Sequence, residues 1–67
     1  MANRKIIGER LRSLRGKKTA VEVAGACGIS TSALSMYENG ERVPRDEIKV
    51  SLARYYNRSV ESIFFAT

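Results

Sequence analysis

The sequence predicts an all-α domain of five short helices, and three observations carry that expectation. Apolar residues recur at spacings of three and four along separate stretches, residues that start and stop helices fall between those stretches, and no run alternates apolar with polar as a half-buried strand does. At 67 residues the chain is expected to form one domain over 1–67, with its core spanning about 5–65. A domain this short buries only about 60% of the surface that its unfolded chain exposes, so its stability should be modest.

Helix 1 is expected over Arg4–Arg15, where Ile7, Leu11 and Leu14 form one apolar stripe and Gly16 supplies the stop. Thr19 and Glu22 then make a Thr-x-x-Glu capping box that starts helix 2, expected from Ala20 to Ala26. Val23, Ala24 and Cys27 face its core side, and Gly28 closes it. Ser30 or Thr31 caps helix 3, which carries Leu34 and Tyr37 inward and ends at Asn39-Gly40. The stretch from Glu41 to Arg45 holds the only proline, Pro44, and reads as a loop. Helix 4 follows over Asp46–Tyr56, with Ile48, Leu52 and Tyr55 as its stripe and acids Asp46 and Glu47 where the helix dipole favours them. After Asn57-Arg58, Ser59 caps a short helix 5 containing Val60, Ile63 and Phe64.

Composition removes several function classes. One cysteine, Cys27, precludes an internal disulfide, and with no histidine the chain lacks the commonest zinc ligand and the usual general base near neutral pH. No Ser-His, Cys-His or paired-carboxylate arrangement survives the helix placement, so neither an enzyme nor a metal or other cofactor is expected. Cys27 falls at an inward position and reads as a small core residue. No apolar run reaches the 18 residues of a membrane span, nor is there a continuous apolar leader with a cleavage site, so a soluble cytoplasmic protein is expected.

Charge points to a polyanionic partner. Twelve Lys and Arg against seven Asp and Glu give +5, and the distribution is uneven. Arg4, Lys5, Arg10, Arg12, Arg15, Lys17 and Lys18 crowd the first eighteen residues beside a single acid, Glu9, whereas residues 19–38 carry no base. An uncharged segment is framed by positive potential. Within that segment, two short helices meet through a glycine-containing turn with small residues at the crossing, which is the pattern of a helix-turn-helix. A side chain larger than Ala24 would push helix 2 off helix 3.

Ala24-x-x-x-Gly28-Ile29, then Leu34-Ser35, Glu38-Asn39-Gly40 and Pro44, resembles the phage repressor and Cro-type (XRE) family over about Ile7 to Phe65. The resemblance implies a five-helix lambda-repressor-like domain in which helices 2 and 3 are the helix-turn-helix. It further implies that helix 3 lies in the major groove of a double-stranded DNA operator, that the protein is a transcriptional regulator of repressor type, and that it binds as a homodimer. The base-reading positions implied are Thr31, Ser32 and Met36; Ser35 and Asn39 share their stripe on the helical wheel. None carries the Arg or Gln fork that distinguishes guanine or adenine best, so hydroxyls and contact of Met36 with thymine methyls should do the reading.

Phosphate contacts are expected from Lys17 and Lys18 before helix 2, Ser30 at the N-terminus of helix 3, and Arg42 and Arg45 in the loop after it. Solvation explains Arg10 and Arg12 on helix 1 as well as phosphate contact does. Arg15 and Glu38 match a family pair that bridges helix 1 to the end of helix 3, a structural role. Where the family has Gln at the first residue of helix 2, this chain has Ala20, which implies weaker backbone contact there. Tyr55, Tyr56, Phe64 and Phe65 are more aromatic area than so small a core needs, and Phe64 or Phe65 with the end of helix 5 suggests a two-fold contact. Two other readings remain: a protein-interaction module such as an antitoxin or antirepressor partner, and a membrane-surface role for the basic, amphipathic segment Met1 to Lys18.

Overall fold

The computed structural model describes residues 2–67; Met1, the first residue of the expected domain and of the basic amphipathic segment, lies outside them. The described residues form α1 (Arg4–Arg15), α2 (Ala20–Cys27), α3 (Thr31–Glu38), α4 (Asp46–Tyr56) and a π-helical turn, α5 (Glu61–Phe65), with no strand among them. The expected order and the bounds of α1 and α4 stand as read. Helix 2 runs one residue further, to Cys27.

Local chemistry sets each boundary. Asn3 Oδ1 accepts the Ile6 amide at 2.9 Å and starts α1. Thr19 Oγ1 accepts the Glu22 amide at 3.1 Å, so half of the expected capping box forms. The other half does not, because the Glu22 carboxylate turns to Lys18 Nζ at 3.8 Å, one helical turn back. Ser30 Oγ accepts the Ala33 amide at 3.0 Å. Gly28 sits at φ 69°, a left-handed conformation that closes α2. Beyond it the Ile29 amide reaches back to the Ala24 carbonyl at 3.0 Å, a Schellman closure. Helix α5 departs from the expected α-helix: its closing bond runs from the Ala66 amide to the Glu61 carbonyl at 2.8 Å, five residues back. Ser59 Oγ still caps it, accepting the Ser62 amide at 3.1 Å.

The core gathers Ile7 and Leu11 from α1, Val23, Ala24 and Cys27 from α2, Leu34 and Tyr37 from α3, Leu52 and Ala53 from α4, and Ile63 and Phe64 from α5. Each fully buried leucine or isoleucine contributes about 2 kcal/mol over an exposed one. Leu14, Ile48 and Tyr55, expected to face inward, are half-buried at the rim. In place of Ile48, Lys49 occupies the buried side of α4: its stem is covered while Nζ lies 5.0 Å from the Phe65 ring centroid and 3.5 Å from Asp46. Phe64 has no exposed surface, which corrects its assignment to a dimer contact and leaves Phe65, 37% exposed, as the aromatic available there. The two ends of the chain are tied together. The Ala2 amide donates to the Phe64 carbonyl at 3.1 Å, and Arg10 Nη1 donates to the Ile63 carbonyl at 3.0 Å.

Burial pushes the Tyr56 phenol up to about 12, helped by the Glu38 charge. Its hydroxyl is sealed from solvent without a hydrogen-bond partner among the described residues. Because the folded state holds this group protonated more firmly than the unfolded state, where it ionises near 10, the associated stability is complete below about pH 10. It is expected to vanish as the pH approaches 12. Thermal melts and tyrosinate absorbance should fall and rise together in that window for the wild type, and Tyr56→Phe should remove the steepest part of both.

Candidate nucleic-acid interface

The turn between α2 and α3 depends on the smallness of Ala24, 1% exposed at the helix crossing, and on the left-handed Gly28 that redirects the chain. With Leu34 and Tyr37 turned inward, the opposite side of α3 is left outside. Thr31, Ser32, Ser35 and Asn39 are exposed, and Met36 is half-buried among them. The structure thus brings all five expected base-reading residues onto one uncovered ridge, and none of them is charged. Its N-terminal end also presents amides that no intrahelical acceptor satisfies, a feature attractive to anions. Ser30 spends an oxygen lone pair on the α3 cap, which leaves its hydroxyl hydrogen free to donate.

Exposed bases lie in the turns before α2 and after α3. Lys17 and Lys18 are exposed in the turn before α2, Lys18 being engaged with Glu22. Arg42 and Arg45 are exposed in the loop after α3, and neither has an acidic partner among the described residues. Buried Pro44 lies between them and fixes the backbone that presents them. Arg10 is half-buried and caps carbonyls of α5, at 3.0 Å to Ile63 and 3.3 Å to Ser62.

Arg15 and Glu38 form the expected bridge in bidentate form, Nε to Oε2 at 2.8 Å and Nη2 to Oε1 at 3.0 Å. The Glu38 side chain is 4% exposed and that of Arg15 23%. The hydrogen bond to Glu38 raises the Arg15 guanidinium above its ordinary value, against the desolvation that lowers it. The guanidinium therefore stays charged throughout the physiological range. Nη1 of Arg15 also donates to the Lys18 carbonyl at 2.8 Å, so one guanidinium joins α1, the turn before α2 and the last turn of α3.

Two features are not visible in the sequence pattern. Arg12 on α1 donates through Nη2 to Asn39 Oδ1, and Asn39 Nδ2 lies 3.4 Å from Glu41 Oε2, so the amide at the far end of the ridge is held from both sides. Gly8, in the middle of α1, lies buried directly against the carbonyls of Tyr37 and Glu38. It lets α1 approach the end of α3 closely enough for Arg12 and Arg15 to reach across. A glycine inside a helix costs about 1 kcal/mol relative to alanine, and that cost is the one signal the sequence offers for it.

Comparison with known proteins agrees with this geometry. A family profile described as a helix-turn-helix domain matches residues 6–63. No curated protein sequence matches the chain. Among solved structures, the P22 c2 repressor in complex with a synthetic operator superimposes with a TM-score of 0.87 at 25% identity, covering 92% of this chain and 97% of that one. The clp gene regulator ClgR from Corynebacterium glutamicum gives 0.81 at 32% identity, over 90% of this chain and 66% of that one. An SOS-response transcriptional repressor, LexA from Eubacterium rectale, gives 0.82 at 28% identity over 94% and 72%.

Proposed function

Because this chain belongs to the helix-turn-helix domain family, we infer that it is a DNA-binding transcriptional regulator whose α3 enters the major groove of double-stranded DNA. The observation that carries the reading is the uncovered, uncharged ridge of α3 with the exposed bases Lys17, Arg42 and Arg45 in the turns next to the helix-turn-helix. Thr31, Ser32, Ser35 and Met36 read base edges. Asn39 joins them only by giving up Arg12 or Glu41, so its contribution to selectivity is the smallest of the five. Lys17, Lys18, Ser30, Arg42 and Arg45 hold phosphates on either side, which positions the ridge without reading sequence.

The protein acts by occupying its site as a repressor rather than by catalysis, in the cytoplasm, where the DNA is. No helix among the described residues is long and apolar enough to cross a membrane. Repressors of this architecture bind two-fold operators as dimers with half-sites about 34–36 Å apart, and a homodimer is the assembly proposed here, with exposed Phe65 in the contact. Sedimentation showing a single copy at high micromolar concentration, both free and on DNA, would remove the dimer from this reading.

In vitro selection from random duplexes tests the function and reports site, symmetry and spacing together. Affinity for the selected duplex should fall steeply with salt, log K changing by about 0.9 per log unit of salt for each phosphate neutralised. Met36→Ala should shift base preference, whereas Arg45→Ala should weaken all sequences alike and lower the salt slope by about one. Selection that enriches nothing, with binding indifferent to both substitutions, would overturn the assignment.

A further inference from the structure

Beyond the end of the reading ridge, Tyr37, Arg42, Val43 and Arg45 enclose a cleft of about 360 Å³. Tyr37 belongs to the core by its ring, being 7% exposed overall. Its hydroxyl makes no hydrogen bond to any described residue. Tyr37 is nonetheless one of the residues that line the cleft, and the part of a core tyrosine that reaches a surface cleft is its polar tip. Arg42 and Arg45 bring two guanidiniums without acidic partners to the same cleft. Of the acids nearby, Glu41 faces the Asn39 amide and Asp46 the Lys49 ammonium, while Glu47 is exposed in the first turn of α4. Helix α4 begins at Arg45 without a side-chain cap, which leaves the amides of its first turn facing outward.

The chemistry of that lining selects its occupant. Guanidinium groups donate and never accept, and a phenol whose ring is fixed by packing holds its oxygen in one place, from which the hydroxyl can turn to donate. A lining dominated by positive donors fits a group that only accepts and carries negative charge. A base edge, which mixes donors with acceptors, is poorly matched. Resting on the DNA-binding reading above, we propose that this cleft seats one backbone phosphodiester per bound domain. Arg42 and Arg45 supply the charge, and the Tyr37 hydroxyl donates the hydrogen bond that fixes where the phosphate sits. Because Tyr37 lies one residue from Met36 on α3, the contact sets the depth and register of the ridge in the groove. Tyr37 is then both core and ligand: its ring packs the helix and its oxygen anchors the DNA.

The test is a methylphosphonate scan, in which each phosphate of the selected duplex is neutralised in turn and binding of wild type and Tyr37→Phe is compared. One linkage per half-site should weaken the wild type by about tenfold or more, and the same linkage should cost Tyr37→Phe several-fold less, the signature of a lost charge-assisted hydrogen bond. Tyr37→Phe should melt at the wild-type temperature and keep the wild-type salt slope, since no charge is removed, whereas Arg42→Ala should lower that slope by about one. A scan in which Tyr37→Phe and wild type respond alike at every linkage overturns the proposal. So does a shift of the Tyr37 ring resonances with millimolar inorganic phosphate and no linkage-specific coupling on DNA, which would mark a free-anion site. Failure of the wild type to bind any duplex would instead overturn the DNA reading itself and this assignment with it, an outcome distinguishable because it precedes the scan.

Discussion

Gly8→Ala is expected to destabilise the domain by roughly 3 kcal/mol or more, lowering the melting temperature by about 15 °C. Elsewhere in a helix the same change stabilises, because alanine loses less conformational freedom. Here a Cβ would stand 2.4 Å from the Glu38 carbonyl oxygen and 2.8 Å from that of Tyr37. Both are backbone atoms, so no side chain can swing aside and α1 must move off α3. That movement would pull Arg15 from Glu38 and Arg12 from Asn39 as well, so DNA affinity should fall with stability. Gly25 provides the control. It lies within α2, where an added methyl would have no neighbouring atom within 4 Å, so Gly25→Ala should raise stability by about 0.5–1 kcal/mol. Denaturant melts of the two variants should shift in opposite directions; a common direction would show that the packing of α1 on α3 is not as described.

Substitution of the Arg15–Glu38 bridge should be asymmetric. Arg15→Met strands a carboxylate whose side chain is 4% exposed, and removing the partner of a buried charge costs about 3–5 kcal/mol. In Glu38→Gln the uncharged amide oxygen can still accept from the guanidinium. Arg15, 23% exposed, can also face water and keep its bond to the Lys18 carbonyl, so about 1–2 kcal/mol is expected. The double variant Arg15→Met with Glu38→Leu should recover most of the loss, since burying two charges is expensive and an apolar pair avoids it. A complete double-mutant cycle checks this. Equal losses for the two single variants, adding in the double, would mean that the bridge is solvated and contributes little.

Much of the architecture is legible because it is written in local signals. The caps at Thr19 and Ser30, the left-handed Gly28 and the three-and-four spacing of Ile7, Leu11 and Leu14 act within a turn or two of their own positions. The α3 ridge is legible for the same reason: once Leu34 and Tyr37 face inward, Thr31, Ser32 and Ser35 must face out. What the sequence conceals depends on residues far apart in the chain. Gly8 needs no side chain because of Glu38, Arg12 is placed by Asn39, and Lys49 faces inward because Phe64 and Phe65 offer it ring faces. Periodicity alone points Ile48 into the core, yet the covered side of α4 is rotated one residue onward, where a long stem with a charged tip suits the edge of the aromatic pair better than a branched aliphatic does. The reciprocal half of the capping box fails for an electrostatic reason, since Glu22 has a cation one turn away.

The bond from Ala2 to the Phe64 carbonyl, with Arg10 clasping the neighbouring carbonyls, closes the polypeptide into something near a ring. Ala2 and the turn over residues 62–64 therefore form a seam between α1 and α5. Loosening that seam would free α1 and α5 from each other while the bonds that Arg15 makes to Glu38 and to the Lys18 carbonyl stay in place.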